Sequence, residues 1–157
     1  MTKSTRGRHI ESEPASDSTA APDDHRNVLR LQIPAAAAQL GMLRAITETI
    51  MLTADFTLDV VTDMRVALDE VATAMIVAAV PGAVIDCEFR YDAEAITVRV
   101  ASVGATDNAI DEDSFAWHVL GTLTDSLEIT PGTFDDRLGG YPILVQFSRV
   151  RSDADDG

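Results

Sequence analysis

The residues best placed to do chemistry lie in "ALDEVATAM" (67–75), where two carboxylates, Asp69 and Glu70, stand side by side in an apolar-patterned stretch. Successive residues of a helix point about 100° apart, so the two side chains leave the helix in different directions. With Val61, Met64, Leu68, Val71 and Met75 as the buried stripe, Asp69 falls with Thr62 and Thr73 on the solvent side. Glu70 falls with Val66, Ala74 and Val77, at the margin of the buried face. Desolvation there would raise its carboxyl pKa, which suits a general base if a substrate is near. The residues alone leave two readings of Glu70: a base, or a charge at a helix edge.

Other reactive side chains are sparse. His9, His25 and His118 are not spaced as metal ligands, and Cys87 is the single cysteine, so no zinc set can be assembled. Cys87 alternates with Ile85 and Phe89 and reads as a core thiol. His118 follows Trp117 in a helical pattern and reads as a packed or half-exposed helix residue. The acidic run "DNAIDED" (107–113) lacks the glycine and the alternating ligands of a calcium loop, so it reads as a solvated loop. Neither a dinucleotide glycine fingerprint nor a P-loop is present, and the only lysine is Lys3.

The elements that must position these groups can be traced by period. At 157 residues and 46% hydrophobic content the chain suits one domain with a core of its own. Residues 1–26 and 151–157 carry no apolar period and read as disordered tails around a folded body at 27–150. "VLRLQI" alternates as a strand ended by Pro34, and "AAAAQLGMLRAITETIML" places Leu40, Leu43, Ile46 or Thr47, and Ile50 on a helical stripe. A second helix runs from about Leu58 to Val80 and stops at "PG". "VIDCEFR" and "AITVRVASV" alternate around "YDAE" and predict a hairpin. A third helix opens at Asp113 or Ser114, and "LEIT" and "YPILVQFSRV" supply two more strands. The order β-α-α-β-β-α-β-β predicts an α/β fold, an α+β two-layer sandwich with three helices on one face of a five-stranded mixed sheet.

Charge and cysteine usage bound the partners. There are 26 acidic against 12 basic residues, net −14. That balance argues against direct nucleic-acid binding, which needs Lys and Arg at the phosphates, and suits a basic protein partner. One cysteine, an N-terminus without an apolar signal core, and no apolar run near membrane-span length together predict a cytoplasmic protein with no membrane contact.

Topology and three segments together resemble RsbW-type anti-sigma factors, the serine-kinase branch of the GHKL superfamily with the Bergerat ATPase fold. The resemblance spans about residues 28–150. "ALDEVATAMIVAAV" resembles the box in which a Glu precedes an Asn by four residues, "VASVGAT" the first glycine box after a strand, and "SFAWHVLGTLTDSLEI" the segment that opens with the second glycine box. The last is similar to the actinobacterial, mycobacterial-type version of the anti-sigma-F branch.

Carried over by position, the resemblance puts Glu70 at the catalytic base and Ala74 where an Asn holds magnesium. Ser102 stands at the adenine-reading Asp, Gly104 at a retained glycine and Thr106 at a replaced one. Ser114, Phe115 and Ala116 stand at the second glycine box. A methyl group cannot ligate magnesium, which takes oxygen ligands. Side chains in place of glycine keep backbone amides away from phosphates. The resemblance therefore implies ATP with Mg2+ bound weakly or lost, and a weak or absent kinase; its alternative is an active serine kinase acting on the antagonist. It also implies a homodimer that sequesters an alternative sigma factor, with release by an anti-anti-sigma factor. Arg44 on the first helix is the implied partner-binding residue.

Overall fold

The computed structural model describes residues 26–151. Of the expected tail at 1–26, residues 1–25, with Lys3, His9 and His25, lie outside the described residues, as do the last six residues. The order along the chain is β1 (Asn27–Pro34), α1 (Leu40–Thr53, after a single 3-10 turn), α2 (Leu58–Ala78), β2 (Val84–Tyr91), β3 (Ala95–Gly104), α3 (Phe115–Leu123), β4 (Ser126–Pro131) and β5 (Tyr141–Val150). This is the order predicted from sequence.

The five strands form one sheet ordered β1-β2-β3-β5-β4, and every pair is antiparallel. The mixed sheet expected from sequence is thus corrected to an antiparallel one. The reason lies in the connections. Two helices between β1 and β2 return the chain to the end where β1 finished, so β2 runs back alongside it. Strands β3 and β4 do run in the same direction, but β5 inserts between them and pairs antiparallel with both.

Period-2 burial decides which face is covered. Ile96, Val98, Val100 and Ser102 of β3 are buried with Ile85, Cys87 and Phe89 of β2 and Ile143, Val145 and Phe147 of β5. Helix α2 lies against β2, β3 and β5, with α1 and α3 packed beside it. Its buried residues are Val60, Val61, Met64, Ala67, Leu68, Val71, Ala72 and Met75, a stripe at three- and four-residue spacing. Each large side chain in it contributes about 1.5–3 kcal/mol on burial. Helix α1 buries Leu43, Thr47, Ile50 and Met51, and the Thr47 hydroxyl is satisfied by the Leu43 carbonyl at 2.8 Å.

The opposite face of the sheet is polar and carries cross-strand pairs. Arg30 and Arg90 donate to the two oxygens of Glu88 at 2.6 and 2.5 Å, and Gln32 donates to Asp86 at 2.8 Å. Glu88 is held below the usual carboxylate range, first by the Arg30 hydrogen bond. The predicted hairpin is closed by Asp92, whose carboxylate accepts the backbone N–H of Glu94 and Ala95 at 2.7 and 2.9 Å. Arg151 joins distant parts of the fold: it donates to the carbonyls of Ala93, Asp55 and Ala54 and lies 4.2 Å over the Phe56 ring. The folded body therefore reaches Arg151, one residue past the boundary set by the pattern.

Two outcomes test this core. Phe89→Ala, which empties a fully buried site between sheet and α2, costs about 3–5 kcal/mol in urea unfolding. Burial first, and Asp86 second, push the Cys87 thiol from 9.0 up to about 12. The fold thus favours the protonated thiol, so its contribution is complete below pH 9.0 and is lost as pH rises towards about 12. At pH 8, iodoacetamide alkylates Cys87 slowly in the native protein and readily in guanidinium.

Candidate functional site

Helices α1 and α2 run antiparallel, and their shared seam is marked by two ion pairs of opposite sense. Arg44 Nε donates to Asp69 Oδ1 at 2.6 Å, and one turn along, Arg65 Nη1 reaches Glu48 Oε2 at 3.4 Å. Arg44 is 48% exposed and Asp69 28% exposed at the side chain. Asp69 holds the Arg44 guanidinium still further into its protonated form, through the hydrogen bond first and its charge second. Around Arg44 the outer face of α1 is low and largely apolar, with Gly41, Met42 and Ala45 exposed. The arginine is thus a projecting cation on a smooth patch.

This geometry reverses one expectation about the adjacent carboxylates. Asp69, expected to face solvent with Thr62 and Thr73, is the half-buried partner of Arg44. Glu70, expected at the margin of the core, is exposed, and so are Val66 and Val77, the latter at 83%. The α2 stripe is rotated slightly from the one drawn on sequence, because Val60, Ala67 and Ala72 also turn inward and swing Glu70 outward. Sequence reasoning missed Asp69 as a partner of Arg44. The signal was there in the mirrored charge order, Arg44 then Glu48 on one helix and Arg65 then Asp69 on the next, but only an antiparallel register makes it legible.

The remaining candidate positions fall around the end of β3 and the start of α3. Ser102 is buried on the helix-facing side of β3, and its hydroxyl donates to the Val84 carbonyl at 2.9 Å. Just beyond it the end of β3 joins the end of α2: Val80 N–H donates to Val103 O at 3.0 Å and Ala105 N–H to Ala78 O at 2.8 Å. The following loop folds back over Gly104, so that a Cβ there would stand 3.3 Å from both Ala109 Cβ and Thr106 O. Thr106 itself is exposed. Ser114 caps α3, its Oγ accepting the Trp117 N–H at 3.1 Å, while His118 Nδ1 lies 2.8 Å from the Ser114 carbonyl. Phe115 is 85% exposed, and Ala116 is exposed beside it.

These side chains do not fit a magnesium nucleotide. Where the resemblance places a carboxylate acceptor, Ser102 offers a buried hydroxyl bonded to the Val84 carbonyl. Ala74 offers no oxygen to a magnesium ion. Where amides would have to approach phosphate, Phe115 and Ala116 carry side chains and Ser114 Oγ already occupies one amide. Ser114→Ala, which removes that cap, lowers stability by about 1 kcal/mol in a thermal or urea melt, and Ser114→Asp restores it.

No protein-family model matches the chain. The chain is 31% identical over 108 residues to the anti-sigma-F factor RsbW of Mycobacterium tuberculosis, in strains CDC 1551 / Oshkosh and ATCC 25618 / H37Rv alike. The match covers 69% of this chain and 62% of the relatives' own length, less than two thirds of the curated proteins it resembles. Over those 108 residues the chain is distantly homologous to the mycobacterial anti-sigma-F factor RsbW.

Proposed function

We propose that this protein is an anti-sigma factor that sequesters an alternative, stress-type sigma factor by direct binding, and that an anti-anti-sigma factor releases it. The observation that carries the reading is the 31% identity to anti-sigma-F factors over 108 residues. Two features of the fold support it. Arg44 projects from α1 as an exposed cation on an acidic domain, the kind of residue that anchors a charge-assisted protein contact. The net charge of −14 suits a partner with a basic DNA-binding surface, because covering that surface competes with DNA.

In this reading the protein works by occupancy. Phosphoryl transfer depends on metal-assisted positioning and charge neutralisation, and Ala74, Ser102, Phe115 and Ala116 supply neither. Glu70, at the base position, is left exposed without that machinery. ATP with Mg2+ is accordingly bound weakly or not at all. The working protein is a cytoplasmic homodimer that makes no direct contact with nucleic acid or membrane; no helix among the described residues is long and apolar enough to cross one.

Two measurements test the reading. Co-purification with candidate sigma factors at moderate salt retains one of them, and Arg44→Ala lowers its affinity by about tenfold or more. Failure to retain any sigma factor sinks the proposal. Incubated with radiolabelled ATP, magnesium and the antagonist, the wild-type protein transfers no more label than Glu70→Gln does. Robust transfer abolished by Glu70→Gln identifies an active serine kinase instead.

A further inference from the structure

Among the described residues Arg44 is held at one point only. Its Nε donates to Asp69, and among the described residues no hydrogen bond engages its terminal Nη1 or Nη2. Other arginines on the helical side of the molecule use their terminal groups internally. Arg149 places Nη1 on both Asp63 and the Leu123 carbonyl, and Arg151 places both on backbone carbonyls of the α1–α2 connection. A guanidinium is a rigid fork whose terminal edge receives a carboxylate through two parallel hydrogen bonds. On Arg44 that edge carries no hydrogen bond among the described residues.

The anchor beneath it is stiff. Asp69 has a short side chain on α2, between Leu68, 1% exposed, and Glu70, and Val71 two residues on is also 1% exposed. The Arg65–Glu48 pair one turn along holds the same seam. We propose that Asp69 is a positioning residue, which holds Arg44 by Nε so that its terminal edge is preset to receive a carboxylate of a partner protein. This rests on α1 being the partner-binding surface. An exposed arginine would otherwise lose its rotamer freedom on binding, and fixing it beforehand removes that cost. A rival reading makes Asp69 an internal competitor for the partner's carboxylate. That role would occupy the two-pronged edge, whereas Asp69 leaves it unused.

The two readings differ in sign. In titrations of the full-length chain with the sigma factor recovered by co-purification, Asp69→Ala weakens binding about five- to tenfold, the scale of one preordered side chain. Asp69→Asn, which keeps the Oδ1 acceptor, recovers most of that loss. In an Arg44→Ala background, Asp69→Ala adds less than about twofold, because its effect runs through Arg44. Circular dichroism confirms that each variant is folded. Unchanged or tighter binding by Asp69→Ala, or an undiminished loss in the Arg44→Ala background, overturns the proposal while leaving the anti-sigma reading intact. A measurement without any partner bears on it as well. By NMR the Arg44 Nε–H is protected from exchange in the wild type and loses that protection in Asp69→Ala, and equal protection in both overturns the proposal.

Discussion

The seating of α2 on the sheet is the constraint from which the rest of the molecule follows. Met64, Ala67, Leu68, Val71, Ala72 and Met75 are almost wholly buried, and the alanines among them let the helix approach the strands closely. Such a stripe admits only one rotation of the helix about its axis, since turning it by one residue would exchange core side chains for Asp69, Glu70 or Thr73. That single angle sets two outcomes. Asp69 is directed along the seam towards α1 and meets Arg44, and Glu70 is directed away into solvent.

A second fixed point lies where α2 ends. The chain leaves the helix by donating from Val80 to Val103, and Ala105 answers by donating to Ala78, so helix end and strand end are tied together. Gly140 closes the same corner: a Cβ there would stand 2.6 Å from the Gly104 carbonyl and 2.8 Å from both Val103 and Val80 side chains. Close backbone approach of this kind admits glycine alone. The ties run through backbone groups and apolar side chains of the segments that resemble the nucleotide boxes, not through the polar side chains there. Such a scaffold can change the chemistry of those boxes without losing its fold, which is why function must be argued from the site and not the architecture.

The charged pairs follow the same division. Glu88 between Arg30 and Arg90, and Asp92 over the hairpin turn, secure sheet geometry on the face away from the helices. Arg149, reaching Asp63 and Asp125, ties β5 to α2 and to the start of β4. Exposed pairs of this kind contribute little individually. Arg30–Glu88 and the Arg149 pairs join elements far apart in the chain, so their value is in register, whereas Arg90–Glu88 and Asp92 act within a strand and a turn.

Much of the fold was legible along the chain because its signal is local. Alternation in "AITVRVASV", the three- and four-residue spacing from Val61 to Met75, and the "PG" stop all depend on neighbours within a few positions. They were enough for all eight elements, their order, and the core role of Cys87. Departures from the resembled pattern at Ala74, Ser102, Phe115 and Ala116 were likewise visible, since residue type needs no coordinates. Strand polarity, the insertion of β5 between β3 and β4, and the orientation of the two adjacent carboxylates were decided only in three dimensions. Each depends on which distant segment lies alongside: 25 residues separate Arg44 from Asp69, and no local pattern encodes that they meet. The sequence determined that two carboxylates stand together on α2; packing of that helix against the sheet and α1 decided that Asp69 is the one with a partner.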